Sequence, residues 1–151
     1  MRSSCGVGLQ ACGAGLLAGF LSCTNPLPPE LQQLGTTEIT AQLTEIPGPF
    51  PPNDLYNYAY VLKYKVIKIH RGQTDSETIY IAHYNPLKPR AKAGDQDAGK
   101  IGGDIDQFRA GDTHRLALAA PLDQHYMGGI IDKYFEQKGT RYWAIWTVKA
   151  N

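Results

Sequence analysis

Four histidines, His70, His83, His114 and His125, are the residues of this 151-residue chain best suited to proton transfer or metal ligation. An imidazole titrates near neutrality and binds Zn²⁺ or Cu²⁺ through either ring nitrogen. Period-two alternation puts His83 on the face of Ile79 and Ile81, and His114 on the face of Leu116 and Leu118. From there the two could converge with His125 and Asp123 on one divalent metal or one proton-transfer site. The competing expectation is a core role, each ring nitrogen bonded to a backbone group or a tyrosine hydroxyl. No HxH or HExxH spacing supports the metal.

A second candidate lies in the long polar segment from Asn85 to Gln107, where Asp95, Asp97, Asp104 and Asp106 surround glycines. Carboxylates on a flexible backbone suit Ca²⁺, and Asp95 and Asp97 are its candidate ligands. However, Lys100 stands where an EF-hand loop needs glycine, and Asp106 where it needs glutamate. A solvated acidic loop is the ordinary reading. Gly94 to Lys100 also fits GxxxxGK, but Ile101 replaces the Ser or Thr that holds Mg²⁺ in a phosphate loop. Nucleophilic catalysis is poorly served: no cysteine follows Cys23, and Ser76, the only serine from residue 56 onward, lacks a GxSxG context.

The aromatic set is the remaining chemistry. All nine tyrosines fall between Tyr56 and Tyr142, with Trp143 and Trp146 just beyond. Alternation must turn some of these rings outward, where they serve for stacking on sugar rings or for partner contacts. Tyr58, Tyr84, Tyr126 and Trp143 are the expected ligand-binding candidates.

The elements that carry these residues are mostly strands. Tyr58 to Arg71 reads as one long strand in which Tyr60, Leu62 and Tyr64 share a face before Ile67 and Ile69 take over the apolar phase; a β-bulge near Val66-Ile67 accounts for the slip. Thr78 to Tyr84 pairs with it as a hairpin across the Arg71–Glu77 turn, Thr113 to Ala119 is a third strand ended by Pro121, and Arg141 to Lys149 closes the domain. Ile130, Ile131, Tyr134 and Phe135 have near-helical spacing, which predicts a short helix over Ile130 to Gln137. A bulged long strand is how a sheet curls and closes, so the expected fold is all-β: a small, bent antiparallel barrel of OB or netrin-like type spanning 56–151, with an open sandwich as the alternative.

Ahead of this domain, residues 1–22 read as a signal peptide, with Arg2 and an apolar run from Ala11 to Ser22 too short to span a bilayer. Phe20-Leu21-Ser22-Cys23 resembles the bacterial lipobox, which implies acylation of Cys23 and cleavage before it. Thr24 is similar to the outer-membrane sorting pattern. Residues 23–55, with seven of the ten prolines, are expected to form a tether that lifts the domain off the membrane. The 15 basic and 14 acidic groups become equal once Arg2 is removed, so bulk charge favours neither nucleic acid nor anionic lipid.

The series Tyr64-Lys-Val-Ile-Lys-Ile-His-Arg-Gly72, Ile79-Tyr-Ile-Ala-His83, Phe108-Arg-Ala-Gly-Asp-Thr-His-Arg-Leu116, Tyr134-Phe-Glu and Arg141-Tyr-Trp143 resembles small exported proteins associated with polysaccharide O-acetylation systems. Its strand order also looks like the netrin-like barrel, without the cysteines that staple secreted animal members. The resemblance implies an accessory envelope protein. The expectation is therefore a non-enzymatic binding lipoprotein without a resident cofactor, on the periplasmic face of the outer membrane or at the cell surface. Its partners would be an envelope protein complex or a polysaccharide. The alternatives are a metal-binding protein or metal-dependent envelope enzyme, and a structural subunit of a larger assembly.

Overall fold

The computed structural model describes residues 35–49, 57–88 and 102–151. Seven strands form: β1 (Thr37–Glu45), β2 (Tyr58–Arg71), β3 (Thr78–Tyr84), β4 (Gly102–Gly103), β5 (Thr113–Ala119), β6 (Gly129–Ile131) and β7 (Arg141–Lys149). Five of them close a ring in the order β1-β2-β3-β7-β5 and back to β1. The result is a five-stranded barrel of OB type. The barrel is mixed, not antiparallel as the hairpin patterns suggested, because β7 runs parallel to β3 and β6 parallel to β2.

The bulge expected near Val66-Ile67 is present. Thr40 pairs with Lys68 and Ala41 with Val66, which leaves Ile67 as the extra residue; a second slip leaves out His70. These irregularities let β2 bend far enough to lie against β3 through one half and β1 through the other. Beyond the bulge Ile67 and Ile69 are exposed, so the apolar phase that continues in the sequence does not continue into the core.

Two assignments from sequence are corrected. Residues 37–45, expected to be tether, form β1, and the barrel starts some twenty residues before the boundary at 56. The segment alternates Ile39, Ala41 and Leu43 inward against Thr40 and Gln42 outward, but its inward set holds only two large apolar side chains, so the period was hard to see. The helix over Ile130 to Gln137 is absent. Ile130 and Ile131 belong to β6 and residues 133–136 form turns. Phe135 is 74 % exposed, against its helical-spacing role as a buried anchor. The single helical element among the described residues is a 3₁₀ turn at Leu122–Gln124.

The barrel interior is filled by side chains such as Ile39, Leu62, Tyr64, Ile81, Leu116 and Leu118. A second apolar layer sits outside, where the β5–β7 connection folds back over β2, β3 and β7. Leu122 and Tyr134 from the connection cover Val61, Tyr80, Ala82, Tyr84 and Trp143. Both faces of these strands are therefore buried, which explains why Ile79 to Tyr84 is buried without interruption.

Arg141 holds the connection in place. It pairs with Asp132 at 2.8 Å, donates to the carbonyls of Tyr134, Gln137 and Gly139, and lies 4.5 Å above the Tyr80 ring. At the barrel's other seam β4 lies along β7, with Gly103 at φ +115°; a Cβ there would sit 1.8 Å from the Thr147 carbonyl oxygen. Only glycine permits this approach.

Candidate functional site

Two groups of aromatic and titratable residues emerge, one sealed in the barrel and one on its outer face. Within the barrel, alternation along β2, β3 and β5 turns Tyr64, His83 and His114 inward to a common point. The Tyr64 hydroxyl lies 3.1 Å from His83 Nε2 and 3.1 Å from His114 Nδ1. Phe108 closes the group, its ring 4.6 Å from His83 and 5.5 Å from His114.

One hydroxyl can donate only one proton, so it donates to one imidazole and accepts an N–H from the other. His114 Nε2 is buried and has no hydrogen-bond partner among the described residues. A stranded N–H is rarer in proteins than an under-used acceptor. This favours His114 Nδ1–H donating to Tyr64, with the Tyr64 O–H donating to His83 Nε2. Protonating His114 would then place a second N–H where nothing receives it. Burial is the main cause that lowers its pKa to about 4; Lys149 adds to the effect and Asp112 opposes it.

The sequence therefore brings His83 and His114 together, but through a tyrosine hydroxyl, the core arrangement that competed with a metal site. His125 is exposed in the 3₁₀ turn and does not join them, nor does Asp123. His70 also stands apart, hydrogen-bonded to Thr40 Oγ1 at 2.8 Å with its pKa lowered mainly by burial. Among the described residues no three His, Cys, Asp or Glu side chains are grouped to hold a metal. Asp95 and Asp97 fall outside the described residues, as does Cys23. Of the remaining acidic loop, Asp104 is tied to β7, accepting from the Lys149 N–H at 3.3 Å.

The outer group holds three of the four expected aromatic candidates. Tyr126 stacks on Trp143 with ring centres 4.8 Å apart and planes inclined by 17°, and meets Tyr84 edge-on at 6.1 Å. The outward-facing positions of β3 and β7 supply Tyr84 and Trp143, and the 3₁₀ turn delivers Tyr126 onto them. Leu122 anchors that turn from beneath, its carbonyl accepting from the N–H groups of both His125 and Tyr126. The expected open platform is corrected in one respect. Tyr84 and Trp143 are only 4 % and 7 % exposed, because the chain's own connection covers them, and Tyr126 is the half-buried outermost ring.

Tyr58 lies elsewhere. It meets Tyr60 edge-on at 6.5 Å and packs beside Gly129, and its backbone is held by the buried Asn85, whose Oδ1 accepts from the Tyr58 N–H at 3.2 Å. Sequence reasoning missed the pair of Tyr80 on β3 and Tyr134 in the connection, whose tilted rings lie 5.0 Å apart. Burial, with Glu45 nearby, raises the Tyr134 pKa. Their signal was the outward phase that Tyr80 shares with Tyr84 on β3. No protein family, no curated protein and no solved structure matches the chain.

Proposed function

We propose that this chain is an exported, lipid-anchored binding module of the bacterial envelope that engages polysaccharide through the aromatic group on its outer face. The observation that carries this reading is the stack of Tyr126 on Trp143, braced by Tyr84. Strands two and three of an OB barrel, with the loops beside them, are the usual face for oligosaccharide and oligonucleotide ligands; Tyr84 of the group lies on the third strand and Tyr126 in the connection between the last two strands of the ring. A near-neutral charge balance favours the saccharide over the polyanion. The barrel interior is filled by side chains, and its two histidines are committed to Tyr64, which supports binding at the surface over chemistry in the core. The Phe20–Cys23 lipobox, only twelve residues before Gly35, supports an anchor close to the domain.

Two measurements test the reading. Intact mass of the chain expressed with its own N-terminus is expected to show a diacyl or triacyl group that disappears in Cys23→Ala. In the Cys23→Ala protein, polysaccharide fragments from the host surface are expected to change Trp fluorescence, and Tyr126→Ala to weaken that binding about tenfold, or roughly 1.4 kcal/mol. Binding that is indifferent to Tyr126 would overturn the assignment of the face, and an unprocessed chain would overturn the anchor.

A further inference from the structure

At one end of the barrel, the beginning of β1, the β2–β3 turn, the end of β5 and the beginning of β7 surround an open cleft of about 410 Å³. Pockets for small ligands run from roughly 300 to 1,000 Å³. Asp75 is one of its lining residues. Its Oδ1 accepts the Tyr142 hydroxyl at 2.8 Å and its Oδ2 accepts the Thr140 N–H at 3.0 Å. The Thr140 hydroxyl and the Asp75 N–H add to these bonds in fixing the carboxylate, and Asp75 stays exposed to an incoming donor. Thr36, Thr74 and Gln73 line the same cleft, and the Thr140 hydroxyl bonds to Asp75 itself. Among the described residues no Lys, Arg or His lines the cleft.

The backbone keeps the cleft open. Gly72 has φ +75°, and a Cβ there would approach the Thr36 carbonyl oxygen to 2.4 Å, so the wall between β1 and the turn is as thin as a backbone allows. The Asp75 bonds tie the turn to β7, and a structural tie needs no more than that. Polar, uncharged lining residues beside an oriented carboxylate suit a ligand rich in hydroxyl groups. A phosphate or uronate would meet a carboxylate with no cation to offset it, so anions are disfavoured.

We infer that this cleft binds a neutral saccharide unit, with Asp75 accepting hydrogen bonds from adjacent sugar hydroxyls and the threonine hydroxyls completing the contacts. The choice of ligand class rests on the reading of the chain as a saccharide-binding module, whereas the cleft stands on its own geometry and is separate from the Tyr126 face. The carboxylate is ionised across the working range, since the Thr140 N–H and the Tyr142 hydroxyl lower its pKa against the effect of burial. The Tyr142 phenol shifts the other way, up to about 12, through burial and its bond to Asp75.

The test is amide NMR on the full chain carrying Cys23→Ala. The neutral probes are maltotriose, tri-N-acetylchitotriose and neutral oligosaccharides from the host's surface polysaccharide; trigalacturonate is the anionic probe and spermidine the cationic one. At least one neutral probe is expected to shift the Gln73, Asp75 and Thr140 amides saturably, and trigalacturonate not to. Asp75→Asn is expected to weaken that binding at least tenfold. Thr74→Val, which leaves the Asp75 tie intact, should weaken it at least threefold and serves if Asp75→Asn does not fold. Tyr126→Ala should leave these shifts unchanged, which separates failure of the cleft from failure of the aromatic face. Shifts from spermidine alone, or no saturable shift from any neutral probe, would overturn the inference.

Discussion

Acidification from pH 7.5 to 4.5 should remove roughly 2–3 kcal/mol of folding stability through His114 alone. An unfolded chain protonates this imidazole near pH 6.5, whereas burial beside Tyr64 holds the folded form to about 4. Between those values the unfolded state binds the proton and the folded state does not, so stability falls with falling pH. The linkage expression gives roughly 1 kcal/mol lost at pH 5.5 and roughly 2–3 kcal/mol at pH 4.5, levelling off near 3 kcal/mol below pH 4. The window stays above the ordinary carboxylate range, where Asp75 begins to contribute: with its folded pKa lowered, it stabilises above pH 3.8 and loses that effect as pH falls further. The assay is urea unfolding followed by tryptophan fluorescence at half-unit steps from pH 4.5 to 7.5, on the parent and on His114→Gln. Glutamine does not titrate and can still bond to the Tyr64 hydroxyl. The variant should start less stable at pH 7.5 and show a slope flatter by about the stated amount. Parallel profiles for the two proteins would refute the assignment of the acid sensitivity to His114.

Three further outcomes follow from the same packing. Tyr64→Phe removes the hydroxyl shared by His83 and His114 and strands a polar group on each ring; a loss of about 2–4 kcal/mol is expected in the urea midpoint at pH 7.5, and a loss under 0.5 kcal/mol would contradict the bridge. Arg141→Lys keeps the charge but not the fork that reaches Asp132 and three carbonyls, so the turns at 133–136 should exchange amide hydrogens at least tenfold faster while β5 exchanges as before. Gly103→Ala forces a Cβ into the Thr147 carbonyl at a positive φ, and a melting temperature unchanged within a degree would show that β4 does not seat there.

The strands that could be read directly from the sequence were those with strong alternation and large side chains. Tyr60-Val-Leu-Lys-Tyr64 and Thr113-His-Arg-Leu-Ala-Leu118 announce their faces, and the phase slip after Val66 announces the bulge. β1 was illegible because Ala41 fills an inward position that a larger residue usually marks, leaving only Ile39 and Leu43 to show the period. The false helix arose from four apolar residues at helical spacing that serve three different ends: β6 for Ile130 and Ile131, the outer layer for Tyr134, and solvent for Phe135. At the site, alternation alone could bring His83 and His114 together, since both face inward on strands of one small barrel. It could not foresee that the aromatic face would be covered by the chain's own connection, because that depends on Arg141 bonds to carbonyls, which side-chain patterns do not encode. The cleft was equally hidden, assembled from four separate segments of which only Asp75 carries a charge.

The position of β1 in the ring has a mechanical consequence. It is paired along its length on both sides, from Glu38 to Glu45 with β2 and from Thr37 to Gln42 with β5. A pull applied at Gly35 along the strand would load both ladders in shear, so many hydrogen bonds would share the force and have to yield together. A hairpin peeled from its open end would instead give way one bond at a time. The barrel thus meets a load at Gly35 with two ladders at once.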